Sequence, residues 1–489
     1  MAISVIIQPM ANSKAPIVAI VGRANVGKSS LFNTILERRE AIVAREAGTT
    51  RDSITARASY TNSNGETQDF WLVDTAGMKP AEDEFELTIQ EQIVEAAAAA
   101  DVIWVLVEAN SIITDEDRRV AKLAHKSGKP VFLVINKIDK TRRSAHDVID
   151  SFRRLGISEV ILTSTMQNVG IEELLGKLVA IVPKASITED DDRLHVALLG
   201  RPNVGKSSLF NSLAKKQQAI VADLAGTTRD VNRTTVRYNS REIEIMDTAG
   251  IRRSGKIGQG IEHFSVLRSL QAIEQADICL LLIDVNELTV GLDQKIAGLV
   301  KEAGKGLVLV VSKWDSLDEK TPYTRDDLAP RIAQAFDFVA WAPLIFTSSV
   351  TGQNVTKIFD LVLDIAKERT KRIPTGELNR WLREIVDKHP PAGLKNRAPK
   401  LNYMVQEDDN PIPAFKVFGS STKFVHWSYR RYMDRTLREK FGYEGSPIQF
   451  WYIEKHVTHK HGNSPTQAPR KHNSIAGAKK PITRKKRTS

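Results

Sequence analysis

The sequence predicts an α/β chain: two tandem units, each a mostly parallel sheet with helices on both faces, followed by a small α+β module. Three observations predict it. The stretch Gly22–Asp52 (GRANVGKSSLFNTILERREAIVAREAGTTRD) recurs at Gly200–Asp230 (GRPNVGKSSLFNSLAKKQQAIVADLAGTTRD), matching at 21 of 31 positions without a gap, at an offset of 178. Solenoid repeats have periods of about 20–50 residues, so this period duplicates a whole domain. Within each copy, short bounded apolar runs alternate with helical stretches, the pattern of strands buried on both faces. Finally, the net charge of +11 is concentrated at one end: from Gly376 to Ser489 there are 23 Lys/Arg against 10 Asp/Glu, and before it 47 against 49.

In chain order, residues 1–15 read as an N-terminal extension and 16–182 as the first unit. Its strands are IVAIVG, FWLVDTAG, DVIWVLVEA, PVFLVINK and EVILTS, with a helical stretch EFELTIQEQIVEAAAAA between the second and third. The polar, acidic PKASITEDDDR (183–193) reads as a linker. Residues 194–370 form the second unit, with runs HVALLG, IEIMDTAG, DICLLLID, LVLVVSK and PLIFTS. The third module, 371–459, reads αββαβ: a helix over LNRWLREIVDKH, strands LNYMVQ and AFKVF, a helix over SYRRYMDRTLREKFG and a last strand in SPIQFWYIEK. The tail 460–489 is basic, lacks acidic residues and is expected to be disordered.

With 42% hydrophobic residues the chain can bury ordinary cores. Its single cysteine, Cys279 in ICLLLI, cannot form an internal disulfide and reads as a core residue. No run approaches the roughly 20 apolar residues that span a bilayer, so a cytoplasmic protein without membrane attachment is expected.

GRANVGKS (22–29) and GRPNVGKS (200–207) both match G-x-x-x-x-G-K-[ST], and each lies between an apolar strand and a helix start. In that context backbone N–H groups curl around phosphate oxygens at a helix N-terminus. The phosphate-binding residues are then Gly22, Asn25, Val26, Gly27, Lys28, Ser29 and Ser30, and in the second copy Gly200, Asn203, Val204, Gly205, Lys206, Ser207 and Ser208. Lys28 and Lys206 reach the β- and γ-phosphates, and Ser29 and Ser207 ligate Mg²⁺. Asp74 and Asp247 open DTAG at strand ends, placed to hold the Mg²⁺ shell, and Gly77 and Gly250 offer a backbone N–H to the γ-phosphate. Upstream, AGTTRD supplies Thr50 and Thr228, whose hydroxyls close on Mg²⁺ only while the γ-phosphate is present. Lys28, Thr50 and Gly77, with Lys206, Thr228 and Gly250, are the candidate catalytic groups.

A third element selects the base. NKID (136–139) follows a strand, and Asp139 can accept two hydrogen bonds from guanine N1–H and N2–H₂; adenine has no donor at N1. Asn136 adds an amide, the Lys137 stem covers the ring, and Ser164 in the pair Thr163-Ser164 supports the base from behind. The second copy has SKWD instead, with Ser312, Lys313, Asp315 and then Thr347-Ser348. The carboxylate is kept, so guanine is still preferred, and the lost amide predicts weaker binding there.

On these residues each copy resembles a GTPase domain of the Era-like branch. Two such copies and a small basic module resemble the Der (EngA) family of bacterial ribosome-assembly GTPases, over roughly residues 16–456. The resemblance implies GTP/GDP and Mg²⁺ as ligands, the large ribosomal subunit and its rRNA as partners, no DNA specificity, and a KH-like third module without the usual G-x-x-G RNA loop. GYEG (442–445) fits that string but precedes the last strand, which argues against such a loop. It also implies activation by K⁺. Many GTPases place a glutamine after DTAG, whereas Met78 and Ile251 stand here, and the P-loop ligands for K⁺ would be Asn25 and Asn203. The other reading of these asparagines is that they only stiffen the loop.

WSYRRYMDRTLREK (427–440) interleaves aromatics with Arg430, Arg431, Arg435 and Arg438, a composition suited to RNA phosphates and bases. On helical spacing Trp427 and Tyr432 are expected in the core and the arginines outside. Two other classes compete: a signalling switch whose third module docks a protein, and a tRNA-modification GTPase. The second lacks the C-terminal nucleophilic cysteine such chemistry needs.

Overall fold

The computed structural model describes residues 15–37, 55–62, 67–75, 96, 99–181, 193–216, 233–247, 261–288, 290–317, 321, 323–391, 398–408 and 410–454. The first sheet has the order β2-β3-β1-β4-β5-β6. Its strands are β1 (Ile17–Val21), β2 (Thr55–Thr61), β3 (Thr67–Asp74), β4 (Val102–Glu108), β5 (Val131–Asn136) and β6 (Glu159–Leu162). Only the β2–β3 pair is antiparallel. IVAIV and VIWVLVE are buried almost throughout, as strands covered on both faces must be. Helices α1 (Lys28–Glu37), α2 (Asp115–Lys126), α3 (Ala145–Phe152) and α4 (Ile171–Ile181) flank it. Two apolar clusters, one around Trp104 and Phe132 and one around Ile103 and Leu133, form the cores on its faces.

The second sheet repeats this plan. Its order is β8-β9-β7-β10-β11-β12, the same sequence of positions, and again only its first pair is antiparallel. The strands are β7 (Leu194–Leu199), β8 (Arg233–Tyr238), β9 (Arg241–Asp247), β10 (Ile278–Asp284), β11 (Gly306–Ser312) and β12 (Leu344–Phe346). The helices are α5 (Lys206–Lys216), α6 (Ile261–Gln275), α7 (Gly291–Glu302), α8 (Thr324–Ala335) and α9 (Lys357–Thr370). Cys279 is fully buried in β10, and burial pushes its thiol up to about 12, so it is an inert core group.

The third module reads α10 (Thr375–Lys388), β13 (Lys400–Gln406), β14 (Ala414–Ser420), α11 (Trp427–Phe441) and β15 (Gln449–Glu454), the expected αββαβ order. β13 and β14 pair antiparallel, and β14 and β15 parallel. GYEG is the turn between α11 and β15. Gly442, Tyr443 and Gly445 have φ of 89°, 71° and 72°, and the Tyr443 side chain is fully buried. The Gly445 N–H donates to the Trp341 carbonyl at 2.7 Å, and its carbonyl accepts from Leu307 N–H at 2.9 Å. These contacts occupy the turn in joining the third module to the second sheet.

Two expectations for α11 are corrected. Trp427 is 56% exposed, because Tyr429, Met433 and Leu437 form the helix's core stripe. Tyr432 is half-buried. Arg430, Arg431 and Arg435 are exposed, but Arg438 is not an outward arginine. It donates to the carbonyls of Tyr443 and Ser446 and lies 5.7 Å from the Trp341 ring centroid, in the seam with the second sheet.

The two copies also meet each other. Glu274, near the end of α6, accepts the Trp71 indole N–H at 2.6 Å and the Ala15 N–H at 3.0 Å. Arg57 on β2 donates to the Glu302 carbonyl at 3.0 Å, and Gln271 donates to the Ala99 carbonyl at 3.0 Å. Ile17, Trp71 and Val73 of the first copy share one apolar cluster with Leu267 and Leu270 of the second. Most of the helical stretch EFELTIQEQIVEAAAAA, the acidic run of the linker and the basic tail lie outside the described residues.

Candidate nucleotide sites

In each sheet the strand order reverses at the strand that leads into the P-loop, β1 or β7. Ligands of open α/β sheets bind at that point, beyond the carboxyl ends of the strands. The loop geometry follows from its residues. Gly22 and Gly27 have φ of 151° and 103°, Gly200 and Gly205 133° and 100°, all glycine-favouring values. A Cβ on Gly22 would lie 2.5 Å from the Leu106 carbonyl oxygen, and one on Gly27 would lie 2.4 Å from Asn136 Nδ2. Asn25 and Asn203 sit at φ 65° and 64°, a left-handed conformation that asparagine tolerates.

Lys28 and Lys206 are buried, and each folds back over its own loop. Lys28 Nζ donates to the carbonyls of Gly22 and Arg23 at 2.6 and 2.7 Å, and Lys206 Nζ to those of Gly200 and Arg201 at 2.8 and 2.6 Å. Burial lowers the Lys28 pKa, against the pull of Asp74 and Glu116. A cationic amine held at the loop's mouth is what a phosphate chain requires. Ser29, Ser30, Ser207 and Ser208 open the helices, and all four are exposed while the lysines beside them are buried. Asp74 and Asp247, at the ends of β3 and β9, are buried. Ser207 Oγ donates to Asp247 Oδ2 at 3.2 Å, so a hydroxyl and a carboxylate converge beside the lysine. That oxygen pair fits Mg²⁺, which binds few protein oxygens and keeps its waters. Thr50, Thr228, Gly77 and Gly250, with Met78 and Ile251, lie outside the described residues.

At the NKID and SKWD loops, Asp139 accepts from the Ser164 hydroxyl and Asp315 from the Ser348 hydroxyl. Each serine in turn accepts a backbone N–H, Gln167 at 3.2 Å and Thr351 at 3.0 Å. Both carboxylates are thereby aimed by the TS pair behind them. Asn136 is fully buried; its Nδ2 donates to the Val26 carbonyl at 3.1 Å, and its Oδ1 accepts from Thr163 Oγ1 at 3.3 Å. Ser312 reaches the matching atom, donating to the Val204 carbonyl at 2.6 Å. Asparagine and serine thus make the same tie between base loop and P-loop. What Ser312 lacks is the second acceptor, and Thr347 turns to the Val311 carbonyl at 3.3 Å instead. Lys137 and Lys313 adopt left-handed φ of 64° and 56°. Lys137 Nζ bridges the Asn25 carbonyl at 2.7 Å and Glu108 Oε2 at 3.0 Å, and Lys313 Nζ pairs with Asp284 Oδ2 at 2.7 Å. Burial alone would raise the Asp284 pKa, but hydrogen bonds from Lys313 and Asn286 hold it below the usual range.

Sequence reading missed two supports that occur in both copies. Arg23 Nε lies 3.5 Å from Asp117 Oδ1, and Arg201 Nε 3.0 Å from Asp293 Oδ2, fastening each P-loop to the following helix. Burial pushes Asp293 up to about 6 despite Arg201. Glu108 and Asp284 close β4 and β10 at equivalent places. The duplication itself was the available signal, since all four positions keep their charge in both copies.

Comparison with known proteins agrees with this geometry. A model described as "50S ribosome-binding GTPase" matches residues 17–137 and again 195–313. A second, "KH-domain-like of EngA bacterial GTPase enzymes, C-terminal", matches 372–452. GTPase Der of Chloroflexus aggregans is 43% identical, covering 88% of this chain and 96% of that one. The chain belongs to the GTPase Der family. GTPase Der of Lachnospira eligens is 41% identical over 89% of this chain and 97% of its own. Among solved structures, a point variant of Aquifex aeolicus Era bound to GDP·AlF₄⁻ aligns with 54% of this chain and 94% of that chain, at 21% identity and TM-score 0.28. As a Der-family protein the chain is a GTPase with two nucleotide-binding G domains and a KH-like third domain. Among the described residues no helix is long and apolar enough to cross a membrane.

Proposed function

We propose that the chain is a GTP-hydrolysing switch that associates with the large ribosomal subunit through its rRNA and assists its assembly. The observation that carries this reading is the outer face of α11. There Arg430, Arg431 and Arg435 are exposed beside a half-open Trp427, and the Arg431 guanidinium lies 5.7 Å from the Trp427 ring centroid. Arginine and an exposed indole on one helix face suit phosphate contact and base stacking. The family-model description supports the ribosomal partner.

At the G sites, Lys28 and Lys206 swing from their loop carbonyls to the β- and γ-phosphates. Ser29 with Asp74, and Ser207 with Asp247, would hold Mg²⁺, which would supply charge neutralisation on the phosphates. Asp139 and Asp315 read guanine, with Asn136, Lys137 and Ser164, or Ser312, Lys313 and Ser348, shaping the pocket. Thr50, Thr228, Gly77 and Gly250 respond to the γ-phosphate. On this reading Asn25 and Asn203 would be ligands for K⁺; equal GTP turnover in K⁺ and Na⁺ buffers, with no effect of Asn25→Ala, would remove that role.

Co-sedimentation with purified large subunits in the presence of a GTP analogue or GDP tests the main reading. Binding should depend on nucleotide and disappear in the Lys28→Ala or the Lys206→Ala variant, each retaining one nucleotide per chain. Loss of binding at moderate salt in every nucleotide state would favour a protein-docking signalling switch.

A further inference from the structure

The duplication presents one helix face twice and gives it two chemistries. In the first copy, α2 and the single 3₁₀ turn Arg153–Leu155 border a shallow, largely open depression of about 540 Å³. Ala121 and Leu155 are its buried floor. Its walls are Arg118, Lys122, His125, Lys126 and Arg154, and no acidic residue lines it. Arg118 pairs with Asp115 at 2.6 Å, while among the described residues Lys122, Lys126 and Arg154 form no ion pair. Across residues 115–156 eleven Lys/Arg stand against six Asp/Glu, while the rest of the chain before Gly376 carries 36 Lys/Arg against 43 Asp/Glu.

The second copy serves as an internal comparison. Counting from the paired aspartates Asp117 and Asp293, and from Phe152 and Phe336 before each 3₁₀ turn, the corresponding residues are Gln294, Gly298, Lys301, Glu302 and Phe338. That face is neutral, and the rest of the chain occupies its surroundings. Arg57 of the first copy donates to the Glu302 carbonyl, Phe338 packs on the core, and Asp337 lies 3.9 Å from Arg431 of the third domain. In the first copy the same face is open and cationic. A favourable helix dipole accounts for His125 and Lys126 in the last turn of α2. It does not account for Arg118 and Lys122 on earlier turns, nor for Arg154 on another element.

We propose that this concavity is a second RNA site, taking the sugar–phosphate backbone on the first G domain, separate from the basic face of the third. The inference rests on the rRNA reading above and adds a place and a contact type to it. Lysine and arginine line the walls without Phe, Tyr or Trp, so the site grips phosphates and reads no bases.

The test uses the full chain and protein-free large-subunit rRNA, followed by fluorescence anisotropy through a salt titration. The triple variant Arg118→Ala/Lys122→Ala/Arg154→Ala should lower the slope of log affinity against log salt by about three, one for each phosphate contact removed. Its RNA-free GTP turnover and thermal midpoint should stay at wild-type values, and Lys122→Arg/Arg154→Lys should keep the wild-type slope. A wild-type slope in the triple variant, with a reduced slope in Arg430→Ala/Arg435→Ala, would overturn this site and leave the rRNA reading standing. Unchanged rRNA binding with lost co-sedimentation would assign the concavity to an acidic protein and overturn it. Failure of the wild-type chain to bind rRNA at all would overturn both.

Discussion

The Trp71 indole N–H donates to a Glu274 carboxylate oxygen at 2.6 Å, across the junction of the two G domains. The tryptophan is fully buried and the glutamate is 7% exposed, so this one anion, also accepting the Ala15 N–H, holds two segments of the first domain to a helix of the second. Trp71→Phe keeps most of the apolar contact and leaves a buried carboxylate oxygen unmet, a cost of about 1–3 kcal/mol. The urea midpoint should fall, and the first domain should begin to unfold separately from the second. A single transition at the wild-type midpoint would show that this bond does not couple them.

Asn136 and Ser312 make the same bond to their P-loop valines, so their removal should have the same kind of effect. In a Lys28→Ala background, Ser312→Ala should weaken GTP binding by about 1–3 kcal/mol in titration calorimetry, since the Val204 carbonyl loses its partner. Ser312→Asn restores an acceptor for Thr347 and should tighten binding by about 0.5–1.5 kcal/mol, a few-fold to roughly tenfold. Unchanged affinity in Ser312→Asn would show that second acceptor to be dispensable.

Glu302 is raised to about 7, chiefly by burial, with Arg57 and Lys301 pulling the other way. A carboxyl whose folded pKa exceeds its unfolded value binds more protons in the folded state, so its contribution is fully present below the unfolded pKa, about 4.3, and is lost as pH rises through about 7. Thermal midpoints measured from pH 5 to pH 8 should therefore fall less in Glu302→Gln than in wild type. Parallel curves for the two proteins would sink this assignment.

Gly445→Ala should loosen the third domain. The added Cβ would lie 2.2 Å from Ile365 Cγ1, and φ of 72° strains any L-residue. Overpacking of this kind costs about 1–3 kcal/mol, and limited proteolysis should cut the variant between α9 and α10 faster than wild type. Equal cutting rates would mean the turn does not anchor the domain.

The two sheets, their P-loops and the element order of the third domain were legible in the sequence, because short apolar runs ending at glycine-lysine and DTAG motifs leave few ways to thread a parallel sheet. Trp427 and Arg438 were misplaced for a definite reason. Helical periodicity shows that Tyr429, Met433 and Leu437 share a stripe, but not that a neighbouring domain covers the next one. The partner of Arg438, Trp341, is far away in the chain, on the second G domain. The Trp71–Glu274 bond spans 203 positions and was invisible for the same reason. At SKWD the letters indicated a lost amide and a shorter hydroxyl still within reach of backbone, and the geometry identifies the carbonyl it reaches as that of Val204, the counterpart of the Val26 carbonyl that Asn136 reaches.

Strand β11 begins at Gly306 and ends at Ser312, seven residues with a span of about 20 Å. At its start Leu307 holds the Gly445 turn of the third domain; at its end Ser312 holds the P-loop. The SKWD loop of the second G domain and the anchor of the KH-like domain are therefore two ends of one ruler. While that strand stays paired on both sides, the distance between them is set by the length of the strand.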